Sequence, residues 1–491
     1  MPDSTHDIET LLRSRVPIIL IETPEERRAV DLFLTLAIRL GQPVMRWSVT
    51  SGLQRIDLEL QPQTHAREPA QALAQIHATG TQGIYLMLDF HPYLEEPAHV
   101  RMIREIALGY GKANHTLVFI SHRCELPEEL HSLSARFSLS LPDHAQIERW
   151  VREEASNWAK THPGKKVKTD EATLAQLINH LGGLTETDVR RLIRKAIYDD
   201  GAITDADLPQ VSQARYRLLD QGGALSFELD TAAFSEVGGL VALKRWLEQR
   251  RRAFLDPDPA LDSPRGILLV GVQGGGKSLA AKAVAGLWGL PLLRLDFGTL
   301  YNKFFGETER NLRKSLDTAT AMAPCVLWVD EIEKAIASGD YDSGTSKRVL
   351  GTLLTWLAER DAPVFLVATA NRIDQLPPEL IRKGRMDEIF FVDLPETDVR
   401  RQIFEIHLNK RGLSPADFDL DLLAAHSEGF SGAEIEQAVV AGLYLAREQA
   451  TSLGTQHLLS ELAQTRPLSV VMSEPLNALR RWARERTVSA N

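Results

Sequence analysis

Cysteine is scarce: Cys124 and Cys325 are the only two in 491 residues. That is too few for a disulfide framework or a thiolate metal cluster, and it fits a reducing compartment. Long hydrophobic runs are absent, none approaching the ~18 residues of a membrane span. The opening MPDSTHDIETLLR has no apolar stretch of the kind a secretory leader needs. Positive charge is in deficit, with 56 Lys and Arg against 66 Asp and Glu and a net charge of −10. A blanket electrostatic grip on nucleic acid or on an anionic membrane is therefore not expected. What is present is ordinary: 44% hydrophobic and 25% charged residues, which excludes disordered, collagen-like and coiled-coil classes. The expectation is a soluble cytoplasmic protein with no membrane span and no nucleic-acid partner. The chain is long enough for roughly three domains of about 150 residues.

Apolar runs of strand length alternate with helical stretches, as in Val16–Ile21, Ile84–Leu88, Leu117–Ile120, Ile267–Val270, Val326–Val329 and Val364–Val367. Continuous apolar runs between helices predict buried parallel strands of α/β domains. Two regions lack such runs and read as helical, 144–215 and 397–491.

The chain also repeats itself, which bears on any fold assignment. Ile19-Leu20-Ile21 and Gly41-Gln42-Pro43 parallel Ile267-Leu268-Leu269 and Gly289-Leu290-Pro291 at one constant offset of 248 residues. Leu86–Asp89 parallels Leu327–Asp330, Leu126–Leu130 parallels Leu376–Leu380, and Gly183-Leu184-Thr185 parallels Gly429-Phe430-Ser431. The reading is two copies of one α/β-plus-helical unit. Residues 1–143 form the first α/β domain, 144–219 its helical lid, 220–233 a linker, 234–396 the second α/β core, and 397–491 its helical lid and terminal helices.

The second copy carries a phosphate loop. Gly271-Val272-Gln273-Gly274-Gly275-Gly276-Lys277-Ser278, running on into Leu279, fits G-x-x-x-x-G-K-[ST] between a predicted strand and a predicted helix. Glycines let backbone N–H groups curl around phosphate oxygens, and the helix N-terminus adds partial positive charge. Lys277 is expected on the β/γ-phosphates and the Ser278 hydroxyl on Mg²⁺. The strand Val326–Val329 ends in Asp330 and Glu331, suited to holding the Mg²⁺ shell and to polarising an attacking water. Asn371 follows the next strand, where an amide can sense the γ-phosphate or hold the water; a turn asparagine is the plain alternative. Arg382 and Arg385 read as a solvated turn in isolation, and as arginine fingers if subunits form a ring. Phe304 and Phe305 are either core residues at a helix end or an exposed loop that grips a peptide. Asp340–Ser346 is a second such loop or a plain disordered one.

Residues 234–491 resemble an AAA+ ATPase of the AAA clade. The likeness rests on Val237-Gly238-Gly239-Leu240, the Walker A and Walker B sequences, Lys303–Glu309, Asn371–Asp387 and Gly429–Glu434. The whole chain is similar to a narrower group of bacterial, cyanobacterial and plastid AAA ATPases, in which a degenerate ATPase domain precedes an intact one. Val272–Gly276, Cys325–Trp328 and Arg382–Glu388 carry that narrower likeness. The resemblance implies two tandem P-loop-NTPase-like units, ATP and Mg²⁺ as ligands, and assembly into a homo-oligomeric ring, often hexameric in this clade. Hydrolysis would be coupled to remodelling of a protein client.

The first copy lacks this chemistry. Its loop reads Thr23-Pro24-Glu25-Glu26-Arg27-Arg28, Ala29 stands where Lys277 does, and Phe90 replaces Glu331. It reads as an ATPase-like domain without hydrolytic activity, its two loop carboxylates set to repel a nucleotide if desolvated, and is expected to serve assembly, recruitment or regulation. An alternative function for the whole chain is a nucleotide-dependent scaffold with slow hydrolysis.

Overall fold

Buried aliphatic runs become strands of two separate sheets in the computed structural model. The structure describes residues 2–58, 66–220, 222–229, 231, 234–256, 260–301, 308–335, 343–373, 376, 378–381 and 385–491. The first sheet holds β1 (Ile18–Glu22), β2 (Val44–Ser48), β3 (Gly52–Arg55), β4 (Gly83–Leu88), β5 (His115–Ser121) and β6 (Ser134–Phe137). The second holds β7 (Leu225–Glu228), β8 (Gly266–Gly271), β9 (Leu292–Leu295), β10 (Cys325–Val329), β11 (Val364–Ala370), β12 (Glu388–Val392) and β13 (Val488–Ser489).

The repeat seen in the sequence is a repeat of topology. The first sheet runs β3-β2-β4-β5-β1-β6 and the second β13-β12-β8-β11-β10-β9-β7. The parallel series β2-β4-β5-β1-β6 therefore matches β9-β10-β11-β8-β12 strand for strand. Among the described residues, the one antiparallel pairing in each sheet is at an edge, β2 with β3 and β7 with β9.

Every residue of β4, β5, β8, β10 and β11 is buried, because helices cover both faces. Alternation sends Leu268 and Val270 of β8 into one core and Ile267 and Leu269 into the other. Ile18 and Leu20 of β1 part from Ile19 and Ile21 in the same way. The helices Thr397–Lys410, Leu420–His426, Gly432–Glu448 and Thr455–Gln464 share a smaller core of their own around Phe404, Phe430, Ile435 and Leu458.

By packing, residues 1–143 and 184–191 form one unit, and 144–183 with 192–491 form another. The sequence reading gave all of 144–219 to the first copy; most of that helical region instead packs with the second sheet. Arg215, 1% exposed, donates through one guanidinium nitrogen to the carbonyls of Ala321 (2.8 Å) and Ala323 (3.1 Å). The Tyr216 hydroxyl donates to the Leu225 carbonyl at 2.7 Å. His180 lies between the Ser212 hydroxyl (2.8 Å) and the Gly289 carbonyl (3.4 Å). Two short strands also fall outside expectation: β7 within 220–233 and β13 within 397–491. Asn491, just beyond β13, accepts the Leu240 N–H on its side-chain oxygen at 2.6 Å.

Candidate functional site

The loop after β8 is shaped by close backbone approach. A Cβ on Gly271 would stand 2.0 Å from the Val392 carbonyl oxygen, and one on Gly274 would stand 2.9 Å from the Ser431 hydroxyl. Gly274 and Gly276 have φ of +76° and +94°, conformations open to glycine at little cost. The helix Lys277–Trp288 follows directly. Lys277 is 6% exposed, and its ammonium donates back to the carbonyls of Gly271 (2.9 Å) and Val272 (2.7 Å). Burial pulls its pKa down to about 8, against the opposing pull of Glu333, Asp330 and Glu331.

The acidic pair leaves the end of β10 on a strained turn, with Glu331 at φ +49°. The Thr369 hydroxyl of β11 sits between the two acids. It donates to Asp330 Oδ1 (2.7 Å) and accepts the Glu331 N–H (2.9 Å). Asp330 Oδ2 faces Arg294 at 3.3 Å. The Asn371 side-chain amide donates to Glu331 Oε1 at 2.7 Å, and the other Glu331 oxygen is paired with Lys334. Behind them Glu333, 4% exposed, accepts the Asn371 backbone N–H at 2.8 Å. Burial, the main cause, raises the Glu333 carboxyl above the usual carboxylate range.

The phosphate loop and the acidic pair line one cleft of about 450 Å³. Gln273–Leu279, Asp330, Glu331, Thr369 and Asn371 line it together with Glu236, Val237, Gly238, Ile403, Ile406, His407, Gly432, Ala433 and Glu436. The helix Gly432–Glu448 opens on a capping box, Ser431 accepting from the Glu434 N–H and Glu434 from the Ser431 N–H. Its Ala433 N–H donates to the Gly274 carbonyl at 3.2 Å, joining the helical part to the phosphate loop. For a divalent cation the fit is good: Ser278 and Asp330 offer a hydroxyl and a carboxylate in the same cleft, the hard oxygen donors Mg²⁺ prefers.

The sequence-based set divides. Gln273–Ser278, Leu279, Asp330, Glu331 and Asn371 come together, with Gly271 and Val272 held through their carbonyls. Arg385 is half-buried, its guanidinium donating to the Glu379 carbonyl at 2.7 Å; it does not line the cleft. Arg382, Phe304 and Phe305 lie outside the described residues. So do 340–342, whereas the helix Ser343–Glu359 begins where a loop was expected. Missed from the sequence were Thr369, Glu333, Lys334 and His407. A signal existed for His407, which falls on one helical face with Ile403 and Ile406 at i, i+3, i+4 spacing.

The corresponding loop of the first unit is filled by its own side chain. Glu25, 8% exposed, pairs with Arg28 at 2.8 Å through one oxygen. Its other oxygen accepts the Glu186 N–H at 2.6 Å, at the start of the helix Glu186–Tyr198. Arg28 also donates to the Ser140 carbonyl at 2.6 Å. Phe90 is fully buried against Trp47, Tyr93 and Phe119, so the position matching Glu331 is core.

Three family models match the chain. Residues 4–139 match the N-terminal domain of SpoVK-like AAA ATPases, 145–222 their second domain, and 267–394 the ATPase family associated with various cellular activities (AAA). The AAA domain-containing protein ycf46 of Guillardia theta is 36% identical over 97% of this chain and 94% of its own length. Its counterpart from Pyropia yezoensis is 35% identical over 98% and 97%. The proteasome-activating nucleotidase of Aeropyrum pernix is 39% identical over 43% of this chain and 54% of its own.

Proposed function

The chain belongs to the AAA ATPase family, with SpoVK-like domains ahead of its AAA domain, and on that premise we propose that it is a Mg²⁺-dependent ATP hydrolase that assembles into a ring and remodels a protein partner. The observation that carries this reading is the 2.7 Å contact between Asn371 and Glu331 in the cleft that the phosphate loop lines. A carboxylate and an amide braced together beside a phosphate cradle are the parts an oriented water requires.

On ATP binding, Lys277 exchanges its two carbonyl partners for β- and γ-phosphate oxygens. The N–H groups of the loop and of the first helical turn hold the remaining phosphate charge. Val237, Ile403 and Ile406 offer the purine an apolar slot, with His407 at its edge. Ser278 and Asp330 would hold Mg²⁺, which when bound neutralises charge on the phosphate oxygens. Glu331, set by Thr369 and Asn371, orients the water and takes up its proton. Arg385, outside its own cleft, and Arg382 are assigned to a neighbour's site, which a head-to-tail cyclic interface permits. The likeness to a nucleotidase that activates the proteasome supports hydrolysis linked to a protein partner.

A second reading, a nucleotide-dependent scaffold with slow turnover, is favoured by one observation: both Glu331 oxygens are engaged, by Asn371 and by Lys334. ATP turnover per chain, followed against protein concentration with Mg²⁺ in excess, separates the two. A rate that climbs steeply and saturates supports a site completed between chains. A flat, slow rate supports the scaffold. Lys277→Ala is expected to lose nucleotide binding. Glu331→Gln is expected to bind ATP and turn it over about 10²–10⁴-fold more slowly. Near-normal turnover in Glu331→Gln would remove Glu331 as the residue that activates the water.

A further inference from the structure

Glu333 is a buried acid with half its capacity unexplained. It sits in the turn Ile332–Ala335, two residues past Glu331. Oε1 accepts the Asn371 N–H at 2.8 Å, while Oε2 is buried with no hydrogen-bond partner among the described residues. Glu333 does not line the cleft. Its role has to run through what it holds.

What it holds is backbone just past the end of a strand. The ladder between β11 and β10 ends at Ala368 and that between β11 and β8 at Ala370, so Asn371 follows the last paired residue. A backbone N–H there needs an acceptor from outside the sheet, and the Glu333 carboxyl is that acceptor. With the main chain of Asn371 fixed, its side-chain amide reaches Glu331 Oε1 at 2.7 Å. From the other side, the Thr369 hydroxyl fixes the Glu331 N–H at 2.9 Å. With the Thr369 hydroxyl's bond to Asp330 Oδ1 at 2.7 Å, four hydrogen bonds brace the turn after β10 against the end of β11, and Glu333 accepts the one that sets the position of Asn371.

We infer that Glu333 is a positioning residue of the hydrolytic centre, acting as a hydrogen-bond acceptor that holds the Asn371 main chain so that the Asn371 amide can set Glu331. The inference rests on the hydrolytic reading of this site. Its requirement is for an acceptor rather than for a negative charge. Gln keeps an acceptor oxygen at that place, and Leu removes it at similar volume.

The test compares Glu333→Leu and Glu333→Gln in the full chain, by kcat and KM for ATP, by nucleotide Kd, and by hydrogen exchange of a peptide covering Asn371. Glu333→Leu is expected to lower kcat by about 10–100-fold, the scale of a catalytic group displaced by a fraction of an ångström to one ångström, with Kd within about threefold. Exchange at Asn371 should rise at least tenfold. Glu333→Gln is expected to restore kcat to within about threefold and to restore protection at Asn371. Equal loss in both variants, unchanged exchange in Glu333→Leu, or a Kd that falls away in step with kcat would each overturn the inference. If Glu333→Leu fails to fold, Glu333→Asn, whose shorter side chain withdraws the acceptor, takes its place with the same expected outcomes. A wild-type chain with no turnover under any condition would count against the hydrolytic reading instead, while exchange at Asn371 still decides whether Glu333 holds that backbone.

Discussion

Thr369 uses one hydroxyl twice, as donor to Asp330 and as acceptor from the Glu331 N–H. Thr369→Val keeps the shape and removes both bonds. The unmet N–H and carboxylate oxygen should cost about 1–3 kcal/mol of unfolding free energy by denaturant titration, with turnover falling further than stability accounts for. Thr369→Ser should retain both quantities, and equal losses in the two variants would deny the hydroxyl its role. Gly271→Ala should be worse: a Cβ 2.0 Å from the Val392 oxygen has to part β8 from β12, which a lowered melting temperature with lost nucleotide binding would register. The phosphate loop and the acidic pair were legible in the sequence because each is a contiguous run beside an apolar strand. Thr369 and Glu333 were not, since their roles exist only once β10 and β11 lie in register and bring residues about 38 apart into contact. Arg385 lies outside its own cleft, a placement that only the folded chain reveals.

At the scale of elements, the capping box that opens the helix Gly432–Glu448 does two jobs. Ser431 and Glu434 satisfy the first turn, and Glu434 also accepts the Leu468 N–H at 2.7 Å. Because the same turn meets Gly274 through the Ala433 N–H, Ser431→Ala should cost about 1 kcal/mol and raise KM for ATP more than it lowers kcat. A melting curve with steady-state kinetics checks both. The long buried strands were readable from their composition, since continuous aliphatic runs have few other uses. β7 and β13 were not: the first is half-exposed, the second is two exposed residues, and each exists through pairing to a neighbour. The helices of 144–219 were readable as helices, but their packing depends on single buried polar anchors such as Arg215, which hydrophobic periodicity does not flag.

For the molecule as a whole, His180 links acid stability to the attachment of the helical region. Burial lowers its pKa from 6.5 to about 4, so it is neutral in the fold. Between those values the unfolded chain binds a proton that the folded one refuses, and stability is lost as pH falls. The loss amounts to on the order of 3 kcal/mol by pH 4. His180→Asn should flatten that part of the stability–pH curve, and an unaltered slope would place the acid sensitivity elsewhere. Calorimetry with ATP should find one site per chain, in the second unit, for the first unit places the Glu25 carboxylate between Arg28 and the Glu186 N–H. Glu25→Ala should therefore destabilise the first unit without creating a second binding event. An anion supplied from within the chain is present at that loop at every nucleotide concentration. If the second unit turns over ATP as proposed, ATP-dependent changes in hydrogen exchange should be confined to it and leave the Glu25 loop of the first unit unaltered.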